Sequence, residues 1–224
     1  MSFFCIYLIG EIMKKILLTF ITLVIVFSNV CAKNFKTNKI IYLDAGHGGV
    51  DPGACYKDIY EKDINLNITL KLKEKLEKEG FIVLLTRLDD YDLSTKNAKL
   101  RKRSDLSNRA KMINESNADI YLSIHLNSSN NATYNGIQIF YDDINTKNKM
   151  IAELFQKKLN KNKKALEITD LYMYKNIYVP GVLLELGFIS NTNDRNNLLD
   201  DDYQNTIIDK IKDSIIDLLS KNVI

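Results

Sequence analysis

Five short apolar runs punctuate this chain: Lys39–Leu43, Phe81–Thr86, Ile120–Ile124, Ile137–Tyr141 and Val182–Leu186. Continuous apolar segments of this length, bounded by turn residues, predict strands buried on both faces. Between them the spacing turns helical. Over Asp63–Glu79, residues Ile64, Ile68, Leu72 and Leu76 keep an i+4 stripe. The start of that segment also alternates like a strand (Ile64, Leu66, Ile68), but its length, its Lys/Glu-rich end and the closing Gly80 decide for a helix. Asp105–Asn117, Asn148–Asn160 and Tyr203–Ser220 carry the same one-sided apolar pattern. Strands alternating with helices predict an α/β fold: a single domain built on one twisted, mainly parallel sheet of five to six strands, with helices on both faces. Functional loops are then expected at the C-terminal ends of the strands.

The first 32 residues stand apart from this pattern. Met13-Lys14-Lys15 is a short cationic start, Ile16 to Phe27 is a run of twelve mostly apolar residues, and Val30-Cys31-Ala32 suits a cleavage position. Residues 1–32 therefore read as a secretory signal peptide, with an N-terminal membrane anchor as the alternative because Phe3 to Ile9 adds apolar length. Lipidation at Cys31 is the weaker reading, since Val30 precedes it. Residues 33–224 form the expected mature domain, exported across the cytoplasmic membrane and touching a membrane only through the N-terminal segment. Cys55 alone would remain in the mature chain, so no internal disulfide is expected. Of 224 residues, 31 are Lys or Arg and 28 are Asp or Glu, interspersed to a net charge of +3. No basic stripe is offered to a phosphate backbone, which argues against nucleic acid as a partner.

Candidate chemistry gathers on two histidines, the only ones in the chain. His47 follows the first predicted strand in Asp44-Ala-Gly-His-Gly-Gly49, and His125 ends another in Ser123-Ile-His-Leu-Asn127. Imidazoles projecting over one sheet edge are good zinc ligands, and a catalytic zinc commonly adds a carboxylate and leaves the fourth place to water. Glu61, at the mouth of the first helix, is the candidate carboxylate. On local spacing alone it reads equally well as a first-turn acid favoured by the helix dipole. Cys55 is a further candidate ligand, against the plainer reading of a small space-filling residue. Glu185 lies inside Val182-Leu-Leu-Glu-Leu-Gly-Phe188, where an acid is costly to bury without a partner or a task. It is either a proton-transfer group or half of a buried ion pair with Arg87 or Arg109.

Six motifs in order carry a resemblance over Lys39 to Ser220: Asp44 to Gly49 with Asp51-Pro-Gly53, Glu61, Thr86-Arg87 with Asp90, Arg109 to Asn114, Ser123 to Asn127, and Pro180 to Asn191. The chain resembles the zinc-dependent N-acetylmuramoyl-L-alanine amidases of the amidase-3 type, and within them the short sporulation- and germination-specific, CwlD-like members. The resemblance implies one Zn2+ per chain held by His47, Glu61 and His125, with Glu185 as general base and then acid. Asn127 would help to bind substrate, and Arg87 and Arg109 would be structural. It implies hydrolysis of the amide between N-acetylmuramic acid and L-alanine in peptidoglycan, in the cell envelope or the forespore intermembrane space during spore cortex maturation. Between Asn127 and Leu171 there is no room for the plugging helix of some division-associated relatives, and no wall-binding repeat is seen. A second envelope protein is therefore expected as activator or targeting partner. Two other readings remain: a zinc carboxypeptidase acting on wall peptides, and a non-catalytic muropeptide-binding envelope protein.

Overall fold

The computed structural model describes residues 12–21 and 37–224. Residues 12–21 form a helix, α1, with exposed Leu17, Leu18 and Phe20. Most of the expected leader lies outside the described residues. No described helix is long and apolar enough to cross a membrane.

Residues Asn38–Ile224 form the second compact unit. Its strands are β1 (Ile40–Ala45), β2 (Cys55–Tyr56), β3 (Ile59–Tyr60), β4 (Ile82–Leu85), β5 (Ile120–Asn127), β6 (Gln138–Tyr141), β7 (Leu166–Glu167) and β8 (Gly181–Phe188). Its helices are α2 (Glu61–Lys78), α3 (Arg101–Asn114), α4 (Asn148–Leu159), α5 (Thr192–Leu198) and α6 (Asp201–Ser220). Six strands pair in the order β4-β1-β5-β8-β6-β7, while β2 and β3 make a separate hairpin. All neighbours in the large sheet are parallel except β6, which runs antiparallel to β8. The chain passes from β1 to the edge strand β4 and then to β5 on the other side of β1. That reversal opens a crevice at the C-terminal ends of β1 and β5, where such sheets bind ligands.

Alternation along the strands sorts the core into two layers. Ile41, Leu43, Leu122, Ile124, Val182 and Leu184 face α2, α4 and α6. Tyr42, Tyr121 and Leu183 face α3 and the segment of Met173 and Tyr174. The expected α/β architecture is therefore present, with helices on both faces and six strands in the sheet.

Several boundaries differ from the sequence expectation, each for a tertiary reason. α2 begins at Glu61 instead of Asp63, because loop carbonyls take its first amides: Glu61 N–H donates to Ala54 O (2.9 Å) and Lys62 N–H to Pro52 O (3.2 Å). β5 continues to Asn127 because β8 runs beside it, so His125 and Asn127 lie within the strand and not beyond it. α3 starts at Arg101 and ends at Asn114, four residues earlier at its start than the stripe of Leu106, Ala110 and Ile113 suggests. β7, the β2–β3 hairpin and the short α5 carry too little periodicity to be read from sequence. Between Asn127 and Leu171, α4 is a core helix whose Ile151 and Phe155 are fully buried.

Gln156 of α4 completes the β6 edge. Its Oε1 accepts from Ile139 N–H (2.8 Å) and Gln138 Nε2 (3.0 Å), and its Nε2 donates to Asn160 O (2.9 Å). Replacing it by leucine leaves a buried main-chain donor unpaired. Gln156→Leu is expected to lower stability by about 1–3 kcal/mol, read from the urea midpoint at an unchanged m-value.

Candidate metal centre

His47, Glu61 and His125 come together at the crevice, their ligand atoms all within 4.8 Å of one another. His47 leaves β1 in a tight loop, His125 ends the inward run of β5, and Glu61 opens α2. The Glu61 Oε1 atom stands 3.2 Å from His47 Nε2 and 3.0 Å from His125 Nδ1. The two rings meet edge-on, 4.8 Å between centroids. Ligand atoms roughly 2.0–2.1 Å from a tetrahedral zinc are separated by about 3.3 Å, which the two spacings from Glu61 to the imidazoles already match.

Hydrogen bonding explains why a cation suits this place. His47 Nδ1 lies 2.9 Å from Asp51 Oδ2, and an ionised carboxylate only accepts, so Nδ1 carries the proton. Neutral His47 then turns the lone pair of Nε2 towards a carboxylate oxygen. Two lone pairs at 3.2 Å repel unless a proton or a metal ion lies between them. Glu61 is buried and is held as the anion: Oε2 accepts from Ala54 N–H (2.8 Å), and Oε1 from Leu126 N–H (3.0 Å) and Asn65 Nδ2 (3.3 Å). Burial raises its pKa, but His125 and His47 outweigh that and keep it far below the usual carboxylate range. Burial likewise disfavours charged His47, yet the Glu61 and Asp51 carboxylates leave its pKa raised.

The loop carrying His47 is held under strain. His47 itself has φ +61°, a left-handed conformation uncommon for residues other than glycine. Two buried arginines grip the carbonyls around it. Arg109 donates to Ala45 O (2.7 Å) and His47 O (2.6 Å), and Arg87 to Ala45 O (2.9 Å) and Gly46 O (3.0 Å). The charge of Arg109 is met by Asp44 (2.7 Å) and Asp105 (2.8 Å), both buried, and its pKa is raised. Asp44 also accepts from Ser123 Oγ (2.6 Å), which lies 3.1 Å from Tyr174 Oη. Gly46 is required because the His125 ring lies where a Cβ at that position would be.

Glu185 sits beside His125 in the β5–β8 register. Its Oε2 is buried with no hydrogen-bond partner among the described residues. Burial pushes its carboxyl up to about 7. Arg87 and Arg109 are both engaged elsewhere, so the ion-pair reading of Glu185 is not what the structure contains. Asn127 follows His125 across a bulge, its Oδ1 accepting from Ser128 N–H (2.8 Å). Cys55 is exposed on β2 and stands outside the ligand group. Sequence reasoning placed Asp44, Asp51 and Ser123 within motifs but gave them no role of their own. Asp44 and Ser123 were detectable as polar interruptions of apolar runs.

The N-acetylmuramoyl-L-alanine amidase family matches residues 41–217. The chain belongs to this family. It is 37% identical over 188 residues to the germination-specific N-acetylmuramoyl-L-alanine amidase of Bacillus subtilis, covering 80% of this chain and 79% of that protein. Its fold is similar to the CwlD amidase of Clostridioides difficile, solved in complex with the GerS lipoprotein: TM-score 0.77, 39% identity, 82% of this chain and 99% of that one. It is also similar to the catalytic domain of the amidase CwlV from Bacillus (Paenibacillus) polymyxa, with TM-score 0.71, 30% identity, and 81% and 98% coverage. This amidase thus acts on the peptidoglycan amide joining muramic acid to L-alanine, and the family assignment disfavours the carboxypeptidase reading.

The Asp44–Arg109 pair gives a test of the loop clamp. Removing one charge of a fully buried pair costs about 3–5 kcal/mol, so Asp44→Asn is expected to lower the denaturation midpoint by that measure. The folded-state pKa of Asp44 is lowered below 3.8, Arg109 and Ser123 outweighing the opposing effect of burial. The unfolded chain therefore takes up the proton first, and the contribution of Asp44 is complete above pH 3.8 and lost as pH falls below it. Wild-type stability should drop through that acidic window more steeply than that of Asp44→Asn.

Proposed function

We propose that this amidase is a zinc enzyme in which His47, Glu61 and His125 hold one Zn2+ and Glu185 moves the proton. The observation that carries the reading is the convergence of two imidazole nitrogens on one carboxylate oxygen at 3.0 and 3.2 Å, beside the Glu185 carboxylate, whose Oε2 is buried and unpartnered among the described residues. When bound, zinc polarises the scissile carbonyl and makes water acidic enough to attack near neutral pH.

The chain's own residues do the rest. Asp51 fixes the tautomer of His47, so that Nε2 is the donor atom. Main-chain amides of Ala54 and Leu126 orient Glu61. Glu185, raised by burial, takes a proton from the attacking water and returns it to the departing alanine nitrogen. A metal ion nearby would oppose that rise and favour the ionised base. Asn127, on the same strand end as His125, would bind the muramoyl-peptide.

The finer biological setting follows from the relatives. The likeness to a germination-specific amidase supports a role in spore cortex maturation, and the apolar leader supports residues 1–32 as a signal peptide or anchor, residues 33–224 as the exported catalytic domain, and a place in the cell envelope or forespore intermembrane space. The similar amidase solved with a lipoprotein supports an envelope protein as activator or targeting partner.

Purified protein with equimolar zinc should release stem peptides bearing a new N-terminal alanine from peptidoglycan, identified by mass spectrometry, and chelation should stop it. Glu185→Gln is expected to keep one zinc per chain while losing about 10²–10⁴ in rate. His125→Ala should lose the zinc, and Cys55→Ser should change neither. Full hydrolysis by zinc-loaded Glu185→Gln would refute the role given to Glu185.

A further inference from the structure

Arg195 of α5 is only 6% exposed, yet no carboxylate pairs with it among the described residues. A buried guanidinium without a counter-charge is costly unless other groups take the place of water. Three do so here. Nη1 donates to Ile189 O (2.9 Å), Nη2 donates to Thr192 Oγ1 (3.3 Å), and Cζ lies 3.5 Å from the centre of the Tyr56 ring. The negative face of an aromatic ring attracts a cation most strongly where water is excluded.

Tyr56 belongs to β2, half of the small hairpin that fills the chain between Ala54 and Glu61. That hairpin has two residues per strand, stands apart from the large sheet, and turns through Lys57 at φ +52°. A hairpin this short is marginal without outside support, and left-handed backbone at a lysine adds strain. Two supports exist: Ile59 packs against the core, and Tyr56 stacks on Arg195. The ends of the hairpin bear on the metal centre. Ala54 N–H donates to Glu61 Oε2 (2.8 Å), and Glu61 N–H donates to Ala54 O (2.9 Å). Arg195 also reaches the opposite side of the site. Ile189, whose carbonyl it holds, follows the strand of Glu185, and Ile189 N–H donates to Asn127 O (2.9 Å).

We infer that Tyr56 and Arg195 are a positioning pair, a strut that locks the hairpin to the turn after β8 and thereby keeps the Ala54 amide on Glu61. The inference rests on the zinc reading and adds to it two residues that stand outside the ligand group. Without the strut the hairpin is held by Ile59 alone, Ala54 N–H drifts from Glu61 Oε2, and the carboxylate is free to turn about its remaining bonds to Leu126 N–H and Asn65 Nδ2. Outer partners that orient a ligand are worth about 10–100-fold in metal affinity. A strut acting through one such partner belongs at the lower end of that range.

The test uses the full chain, first metal-free and then titrated with zinc against a competing chelator. Tyr56→Leu removes the ring face, Arg195→Met removes the cation, and Tyr56→Phe keeps the face and loses only the hydroxyl. Zinc Kd should rise about 10-fold in Tyr56→Leu and Arg195→Met and stay at the wild-type value in Tyr56→Phe. Amide hydrogen exchange of the metal-free proteins should quicken at Ala54 and Glu61 in the first two alone, with the amides of β1, β5 and β8 unchanged. If Arg195→Met does not fold, the two Tyr56 variants decide. Wild-type exchange at Ala54 in Tyr56→Leu overturns the strut, as does quicker exchange there with an unchanged zinc Kd. Equal defects in Tyr56→Phe and Tyr56→Leu, or exchange that quickens across the whole sheet, show a merely structural contact and overturn it too. The two readings fail separately: wild-type protein that takes up no zinc sinks the metal reading, while exchange at Ala54 still judges the strut.

Discussion

Arg109 is buried almost completely, and it can be so because two carboxylates and two main-chain carbonyls surround its guanidinium. The arrangement does two tasks with one charge. On one side it binds Asp44 of β1 and Asp105 of its own helix, tying α3 to the sheet. On the other it grips the carbonyls of Ala45 and His47, where the chain leaves β1 in a left-handed turn. Without that grip the turn would relax towards commoner backbone angles and the imidazole would swing away from Glu61. Arg87 repeats the device from the neighbouring strand end, so the loop is held from two directions.

Because the loop is rigid, the polar chemistry above it can be left poised. Asp51 and Glu61 bracket His47, and the amides of Ala54 and Leu126 bracket Glu61, so the orientation of both side chains is fixed by the fold. Glu185 is the deliberate exception. It lies next to His125 across the β5–β8 ladder with one oxygen unpartnered, and the cost of burying it is the source of its raised pKa. A carboxylate paired to Arg109 would have been more stable and would have kept a low pKa. The fold keeps the arginine occupied with Asp44 and Asp105 instead.

Much of this was legible in the chain. Periodicity sufficed for five sheet strands and four helices, because buried strands are continuous in apolar residues and amphipathic helices keep an apolar stripe whatever surrounds them. Boundaries were less so. Glu61 became the first residue of α2 because its N–H and that of Lys62 donate to the carbonyls of Ala54 and Pro52, and β5 reached His125 and Asn127 through its neighbour β8. These are long-range pairings that leave no local mark. The ligand candidates His47, Glu61 and His125 were readable from their motifs, as was the oddity of an acid at 185.

What the sequence by itself determined is the alternation of elements, and with it the parallel sheet and the edge at which its loops gather. It also determined which side chains were available there, since only two histidines exist to be used. The tertiary structure alone decided that the two imidazoles and Glu61 meet within hydrogen-bonding distance, that Asp51 selects the tautomer of His47, and that Arg109 faces Asp44 and not Glu185. The reason is physical. Hydrophobic pattern is a property of neighbours along the chain, whereas coordination and charge pairing depend on distances of about 3 Å between residues up to 65 positions apart, set only when the sheet closes.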